Sequence, residues 1–158
     1  VKHSTLIGVI NMKLSTKGRY GVKAMLDLAV NCDETPISIK SISERQNISE
    51  YYLEQLFSPL RKANIIKSVR GAKGGYILNR KPEEITVADI IEVLEGPIEI
   101  SDCVEGTHCN NMDCCATRLL WAKVKNSIDS VMQSVTLKDM VDDYNRIQSS
   151  SQEIKIEK

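Results

Sequence analysis

The chain has 158 residues, 21 basic and 21 acidic, so its formal charge is zero, and aromatic residues make up only 4%. A length of this order suits one ordinary domain, or a small domain with an appendage, and buries a core of Leu, Ile, Val, Ala and Met without disulfide or metal staples. No apolar run approaches the ~20 residues that span a bilayer, and Leu6–Ile10, with Lys2 the only charge ahead of it, is too short for a secretory signal.

Residues 1–11 read as an extension ahead of Met12-Lys13-Leu14-Ser15, which resembles a natural start. Val22, Met25, Leu26 and Ala29 then recur at i, i+3, i+4 and i+7, which predicts a helix opening after Ser15. Lys13, Lys17, Arg19 and Lys23 lie at or near its start, where cations oppose the helix dipole. A nearby polyanion relieves that cost, and so does plain solvation. Ser38 is placed to cap a short helix ending at Gln46, with Ile39 and Ile42 as its apolar contacts. Asn47-Ile48 makes a tight turn, and Ser49 caps a second helix carrying Leu53, Leu56, Phe57 and Leu60 on one face. Two short helices joined this way form a helix-turn-helix. Pro59 predicts a kink, with Ser58-Pro59 as cap and first position of a new turn.

Two β-rich runs, Ile65–Val69 and Tyr76–Leu78, flank Arg70-Gly71-Ala72-Lys73-Gly74-Gly75 and predict a hairpin. After a helix-turn-helix, such a hairpin is a wing. Its glycines let the backbone approach a phosphate chain closely, and Arg70 and Lys73 supply charge. As a nucleotide-binding loop the segment fails, because no Lys-Ser/Thr pair follows and a strand stands where a helix is required. Thr86-Val87-Ala88-Asp89 is a capping box with Asp in place of Glu, opening a helix with Val87, Ile90, Ile91 and Leu94 inward that Gly96-Pro97 stops. Beyond a cysteine-rich loop, Trp121, Val124, Ile128, Val131 and Val135 step 3, 4, 3, 4, widened by Leu120 and Met132. A solvent-facing helix with one buried face shows the same pattern, but the strict alternation favours a helix that pairs with its symmetry mate. Thr136–Asp139 caps a last helix with Leu137, Met140, Val141 and Tyr144 apolar, and from Ser149 the polar chain is predicted to fray.

The zero charge hides an asymmetry. Met12–Pro82 holds 13 basic and 6 acidic residues, a net +7, whereas Glu83–Lys158 holds 7 and 15, a net −8. A basic front half suggests a polyanionic partner. The helix from Ser49 to Ala63 would be about 22 Å long at 1.5 Å per residue, and the major groove, about 12 Å wide, admits it. Its non-core positions include Tyr51, Tyr52, Glu54, Gln55 and Arg61. Gln55 suits adenine, Glu54 the amino group of cytosine, and the tyrosines phosphates or thymine methyls; Tyr52 has the alternative of packing on the first helix. Lys13, Lys17, Arg19, Ser49, Tyr51, Tyr52, Glu54, Gln55, Arg61, Arg70, Lys73 and Gly74 form the candidate DNA-facing set.

Four of five cysteines fall in the loop: Cys103, Cys109, Cys114 and Cys115. The expected compartment is the cytoplasm, where thiols stay reduced and clustered cysteines signal metal or redox chemistry. No Cys-x-x-Cys occurs, so neither the usual zinc knuckle nor a thioredoxin-like motif is present. Wider spacing suits a loop wrapped around an iron–sulfur cluster. Cys32 stands apart and reads as a small apolar residue. With two histidines, His3 and His108, and no nucleophile–base pair, the chain does not read as an enzyme.

From Met12 to about Tyr144 the chain resembles the IscR-like branch of the Rrf-two family of bacterial winged helix-turn-helix transcription regulators. The resemblance rests on Met12-Lys13-Leu14-Ser15-Thr16-Lys17-Gly18-Arg19-Tyr20, Tyr52-Leu53-Glu54-Gln55-Leu56-Phe57, Val69–Tyr76, and Cys-x5-Cys-x5-Cys ahead of Leu-Leu-Trp. It implies a mainly α homodimer with a small β-hairpin wing, bound to an operator of double-stranded DNA. It also implies an iron–sulfur cluster, 2Fe–2S in preference to 4Fe–4S, on Cys103, Cys109 and Cys115, tuning which promoters are bound. In the family the position of Glu54 contacts DNA and that of Arg70 enters the minor groove. The expected organisation is an extension at 1–11, the winged domain at 12–82, a connecting helix and cluster loop at 83–118, dimerisation helices at 119–148 and a flexible tail at 149–158. The family's histidine, three residues after the last cysteine, is Arg118 here, and arginine has no lone pair to offer. Cys114, His108, Glu105 or a group from the partner subunit is left to complete the site. The alternatives are a regulator without a cluster, using the cysteines for zinc or thiol sensing, and one that works through a protein partner such as a cysteine-biosynthesis enzyme.

Overall fold

The computed structural model describes residues 15–32, 35–101, 104 and 115–156, with side chains as far as Ser151. In chain order come helices α1 (Thr16–Asn31), α2 (Ile39–Gln46) and α3 (Glu50–Lys62), strands β1 (Ile66–Val69) and β2 (Gly75–Leu78), and a 3₁₀ turn (Pro82–Glu84). Helices α4 (Val87–Glu95), α5 (Ala116–Ser134) and α6 (Leu137–Ile156) follow. The mainly helical class with one small antiparallel hairpin is the predicted one.

The caps fall where the residue types place them. Ser15 Oγ accepts from the Lys17 and Gly18 amides, Ser38 from Ser41, Ser49 from Tyr52 and Thr86 from Asp89. Each such cap is worth about 1 kcal/mol. The Thr86–Asp89 capping box forms in both directions, and Thr136 and Asp139 repeat it at α6. There the Thr136 hydroxyl, then its backbone N–H, hold the Asp139 carboxyl below its ordinary range.

Two predictions about helices are corrected. In α1 the buried face is Gly18, Gly21, Ala24, Met25, Asp27 and Leu28, and Val22, Leu26 and Ala29 are only half-buried. The glycines shift the stripe because α4 lies against them. A Cβ on Gly21 would meet Leu94 Cδ1 at 2.0 Å, and one on Gly18 would meet Ile91 Cδ1 at 3.0 Å. In α3 no new turn starts at Ser58-Pro59, and the helix runs on through Pro59 to Lys62. Proline forfeits one bond, to the Gln55 carbonyl. Its own carbonyl accepts from Ala63 at 2.9 Å, and Leu60 remains fully buried, so the last turn is kept.

One core joins the elements. Leu53, Leu56, Phe57 and Leu60 of α3 are 0% exposed, each contributing roughly 1.5–3 kcal/mol of burial. They share a cluster with Met25 and Leu28 of α1, Ile42 of α2, Ile65 and Ile66 at the first wing strand, Ile90 and Leu94 of α4, and Leu137 of α6. The core thus extends past Pro82 into the connecting helix and the last helix. A backbone bridge, Val87 N to Val135 O at 2.9 Å and Leu137 N to Ile85 O at 2.8 Å, ties α6 beside α4. The chain predicted to fray from Ser149 is helical as far as Ile156. The hydroxyls of Ser149, Ser150 and Ser151 each bond to the carbonyl four residues back, which keeps these polar residues compatible with the helix. Among the described residues no helix is long and apolar enough to cross a membrane.

Candidate nucleic-acid interface and cysteine loop

Because α3 buries Leu53, Leu56, Phe57 and Leu60, its opposite face turns outward. Tyr51 is 72% exposed, and Glu50, Glu54, Gln55, Arg61 and Lys62 are exposed as well. Tyr51, Glu54, Gln55 and Lys62 share one stripe at helical spacing. Ser49, at the mouth of α3, uses its oxygen as a cap acceptor, which leaves its hydroxyl proton to donate. Tyr52 behaves differently. It is half-buried, and its ring meets Tyr20 edge-to-face at 6.0 Å, so it packs on α1.

The α2–α3 turn is set by Asn47 in the left-handed region, φ 53°, whose N–H bonds to the Ser43 carbonyl. A polar lock holds the same end of α2. The Asp27 carboxylate, 3% exposed, takes Arg45 Nη2 at 2.6 Å and Gln46 Nε2 at 2.6 Å. The hydrogen bond to Asp27 is the main reason that the Arg45 pKa is raised. The sequence reading missed this lock, although an aspartate set between Leu26 and Leu28 in a helix is its signature.

The wing pairs Ile66 with Leu78 through Val69 with Gly75. Its turn places Gly71 at φ 123°, and Gly74 N–H bonds to the Gly71 carbonyl at 2.9 Å. A Cβ on Gly74 would lie 2.5 Å from the Val69 carbonyl oxygen, so the tip depends on glycine. Arg70 and Lys73 are exposed there, and Lys67 adds an exposed cation on β1. A further contact was not legible in the sequence: Ile37, just before α2, bridges to Tyr76 through two backbone bonds of 2.8 and 2.9 Å. Phe57 meets the Tyr76 ring at 5.0 Å. Helix α3 and the wing are therefore held in fixed relation, and exposed Arg61, Lys62, Arg70 and Lys73 belong to one block.

At the start of α1, Arg19 is exposed, but Lys17 Nζ donates to the Leu94 carbonyl at the C-terminus of α4. Ser15 Oγ donates to the Glu95 carboxylate. Lys17, predicted to face DNA, thus caps α4 in this conformation. Lys13 lies outside the described residues.

Of the cysteine loop, Cys103, Cys109, Cys114, His108 and Glu105 lie outside the described residues. Cys115 is described. It stands at the N-cap of α5, half-buried, with Sγ 3.0 Å from the Thr117 hydroxyl. The Thr117 hydroxyl, then the Arg118 backbone N–H, hold its thiol below the ordinary value, and the Arg118 charge adds to this. A thiol favoured as thiolate at a helix N-terminus is the form that binds metal or reacts. Cys32, half-buried at the end of α1, packs on the core, with its sulfur 3.9 Å from the Thr35 carbonyl. Among the described residues no three His, Cys, Asp or Glu side chains gather as a metal site.

Known proteins share this arrangement. The model of the Rrf2 family, described as iron-dependent transcriptional regulator, matches residues 14–143. The HTH-type transcriptional regulator CymR of Bacillus subtilis (strain 168) is 48% identical over 129 residues, covering 82% of this chain and 89% of that protein. The solved structure of CymR (YrzC), titled the global cysteine regulator of B. subtilis, has a TM-score of 0.73 at 45% identity, covering 83% of this chain and 97% of that one. The structure of T. potens IscR also has a TM-score of 0.73, at 50% identity over 89% of this chain and 94% of that one.

Proposed function

The chain belongs to the Rrf2 family of DNA-binding transcriptional regulators, which are not enzymes, and on that premise we propose that it is a homodimer whose promoter binding is modulated by an iron–sulfur cluster at its cysteine loop. In this reading the bases are read by Tyr51, Glu54 and Gln55. Ser49, Arg19, Arg61, Arg70, Lys73 and the Gly74 backbone take phosphates and the minor groove. Lys13, Lys17 and Tyr52 support them from the flank. The observation that carries the reading is the face of α3. Its apolar side is fully buried, so polar and aromatic groups project beside a basic wing.

Helix α5 supports the dimer. Among its described residues none is buried, and Leu119, Leu120 and Val131 are 68%, 52% and 61% exposed. A second copy laid along this face buries the seam and sets two recognition helices about 34–36 Å apart, one turn of duplex. The labour divides along the chain: reading by 12–82, sensing by 83–118, pairing by 119–148. With its thiols reduced, the regulator works in the cytoplasm.

Cys103, Cys109 and Cys115 are the proposed cluster ligands, with Cys114, His108, Glu105 or a group of the partner subunit as the fourth. Cys115 suits the role, since its surroundings favour the thiolate that ligation requires. When bound, such a cluster supplies a one-electron, iron-dependent group that responds to redox state or nitric oxide. The protein's own coupling runs through α4. Its C-terminus enters the cysteine loop, while Leu94 and Glu95 hold Lys17 and Ser15 at the DNA-facing end of α1. A shift of the loop is therefore felt where α1 meets the duplex.

A second reading keeps the DNA-binding regulator and drops the cluster: Cys115 and its neighbours bind zinc or act as a thiol switch, or a protein partner such as a cysteine-biosynthesis enzyme carries the signal. The kinship with a global cysteine regulator favours it. Anaerobic purification separates the two. Visible absorbance with iron and sulfide in stoichiometric amounts supports the cluster; colourless protein, or protein holding zinc, removes it.

A further inference from the structure

Helix α2 has eight residues, too few to hold a helix by itself in water. It sinks one side chain, Ile42, fully into the core. Ile39 packs against the core only partly buried, so the apolar contacts fix the depth of so short a helix better than its pivot. The pivot matters, because Gln46 ends α2 and Ser49 already caps α3.

The polar contacts at this end converge on α1. Arg45 Nε lies 3.0 Å from Asp27 Oδ1 and 3.1 Å from Oδ2, and Arg45 Nη2 lies 2.6 Å from Oδ2. Gln46 Nε2 lies 2.6 Å from Oδ1. One turn earlier on α1, Lys23 Nζ donates to the Gln46 carbonyl at 3.1 Å. The carboxylate is buried and both its oxygens are engaged. Side chains from two consecutive residues grip it, so α2 can neither roll nor slide along α1 without breaking charge-assisted bonds. The pair is buried on the aspartate side, with the Arg45 side chain 37% exposed, and desolvating the carboxylate makes it a poor source of stability. Its worth here lies in selecting one geometry.

We propose that Asp27 is a positioning residue for DNA reading: through Arg45 and Gln46 it fixes the aim of the helix-turn-helix, and with it the sequence selectivity of α3. This rests on the reading that α3 contacts the bases. Asp27 itself touches no DNA in this account. Losing it should cost discrimination between sequences and leave the phosphate contacts of Arg70 and Lys73 intact.

The test uses the full-length dimer and two duplexes. One is the sequence that the wild-type protein selects from a randomised pool; the other is its scrambled control. Asp27→Asn turns one acceptor into a donor facing Arg45 and Gln46. Arg45→Lys keeps the charge and loses the planar fork. Both variants are expected to bind the scrambled duplex as the wild type does, with the same slope of log affinity against log salt. Both should lose roughly tenfold on the selected duplex, the size of a single mismatched base pair. Thermal melts confirm which variants are folded, and if Asp27→Asn does not fold, Arg45→Lys decides. A folded variant that keeps the wild-type ratio between duplexes overturns the proposal, as does a parallel loss on both. If the wild-type protein selects no sequence from the pool, base reading by α3 falls together with this inference. Selection by the wild type with an unchanged ratio in the variants removes the role of Asp27 alone.

Discussion

Gly75 stands where the second wing strand passes beneath the residue that leads into α2. A Cβ there would lie 2.3 Å from the Ile37 carbonyl oxygen and 2.9 Å from the Ser38 nitrogen, both backbone atoms. Neither can swing aside as a side chain does. Gly75→Ala is therefore expected to part the Ile37–Tyr76 bridge and cost about 1–3 kcal/mol. For a chain of this size that lowers the melting temperature by about 2–4 °C per kcal/mol, and a melt equal to wild type would contradict the close approach. Cys115, at the N-cap of α5, is the other residue whose surroundings set a measurable property. Its thiol is held below its ordinary value of 9.0, first by the Thr117 hydroxyl. In reduced, metal-free protein, alkylation of Cys115 should reach half its maximal rate below that pH. Thr117→Val removes the leading cause, so the midpoint should rise; an unmoved midpoint would show that the hydroxyl does not act on the thiol. At the wing, Arg70→Ala should weaken binding to any duplex and reduce the salt slope by about one contact. A footprint and slope like those of the wild type would take Arg70 off the DNA.

The elements differ in how far residue order alone determines them. Helix α3 was legible, because Ser49 caps it and four large apolar side chains recur on one face, a local pattern that the core then uses without change. Helix α1 was legible as a helix but not in its facing. Gly18 and Gly21 carry no hydropathy, yet they admit α4 most closely, and that closeness depends on Leu94 and Ile91 far along the chain. The Ile37–Tyr76 bridge and the Asp27 lock are also pairings between distant residues, which local periodicity does not encode. The candidate site divides the same way. The stripe of Tyr51, Glu54 and Gln55 follows from α3 alone, whereas the contact of Lys17 with the Leu94 carbonyl pairs distant residues and was not legible from its position. For α5 the 3, 4, 3, 4 seam was readable; Val131 of that seam and the flanking Leu120 are exposed in the single chain, while Trp121, Val124, Ile128 and Val135 are half-buried. Val131→Glu on a face buried by a second copy should convert the dimer to monomer in sedimentation, with helix content retained. A dimer that survives this change would place the interface elsewhere.

At the scale of the molecule, a basic N-terminal half and an acidic C-terminal half meet along α1 and α4. The proposed DNA-reading residues lie in Met12–Pro82, which carries a net +7, whereas Glu83–Lys158 carries a net −8. The two halves are not independent, since Ile90, Leu94 and Leu137 are built into the core that carries α3. Under the proposed function, a perturbation of the cysteine loop would enter this packed unit through Leu94 and Glu95. The coupling proposed between the cysteine loop and α3 is open to direct test. Its most direct measurement compares the affinity of anaerobically prepared, iron- and sulfide-containing protein for its selected duplex, at one salt concentration, before and after iron is removed by a chelator. A change of about 5–150-fold is expected, the usual range of coupling between two sites, with the protein still folded and dimeric. Equal affinity before and after, in protein shown to have lost its iron, would contradict it.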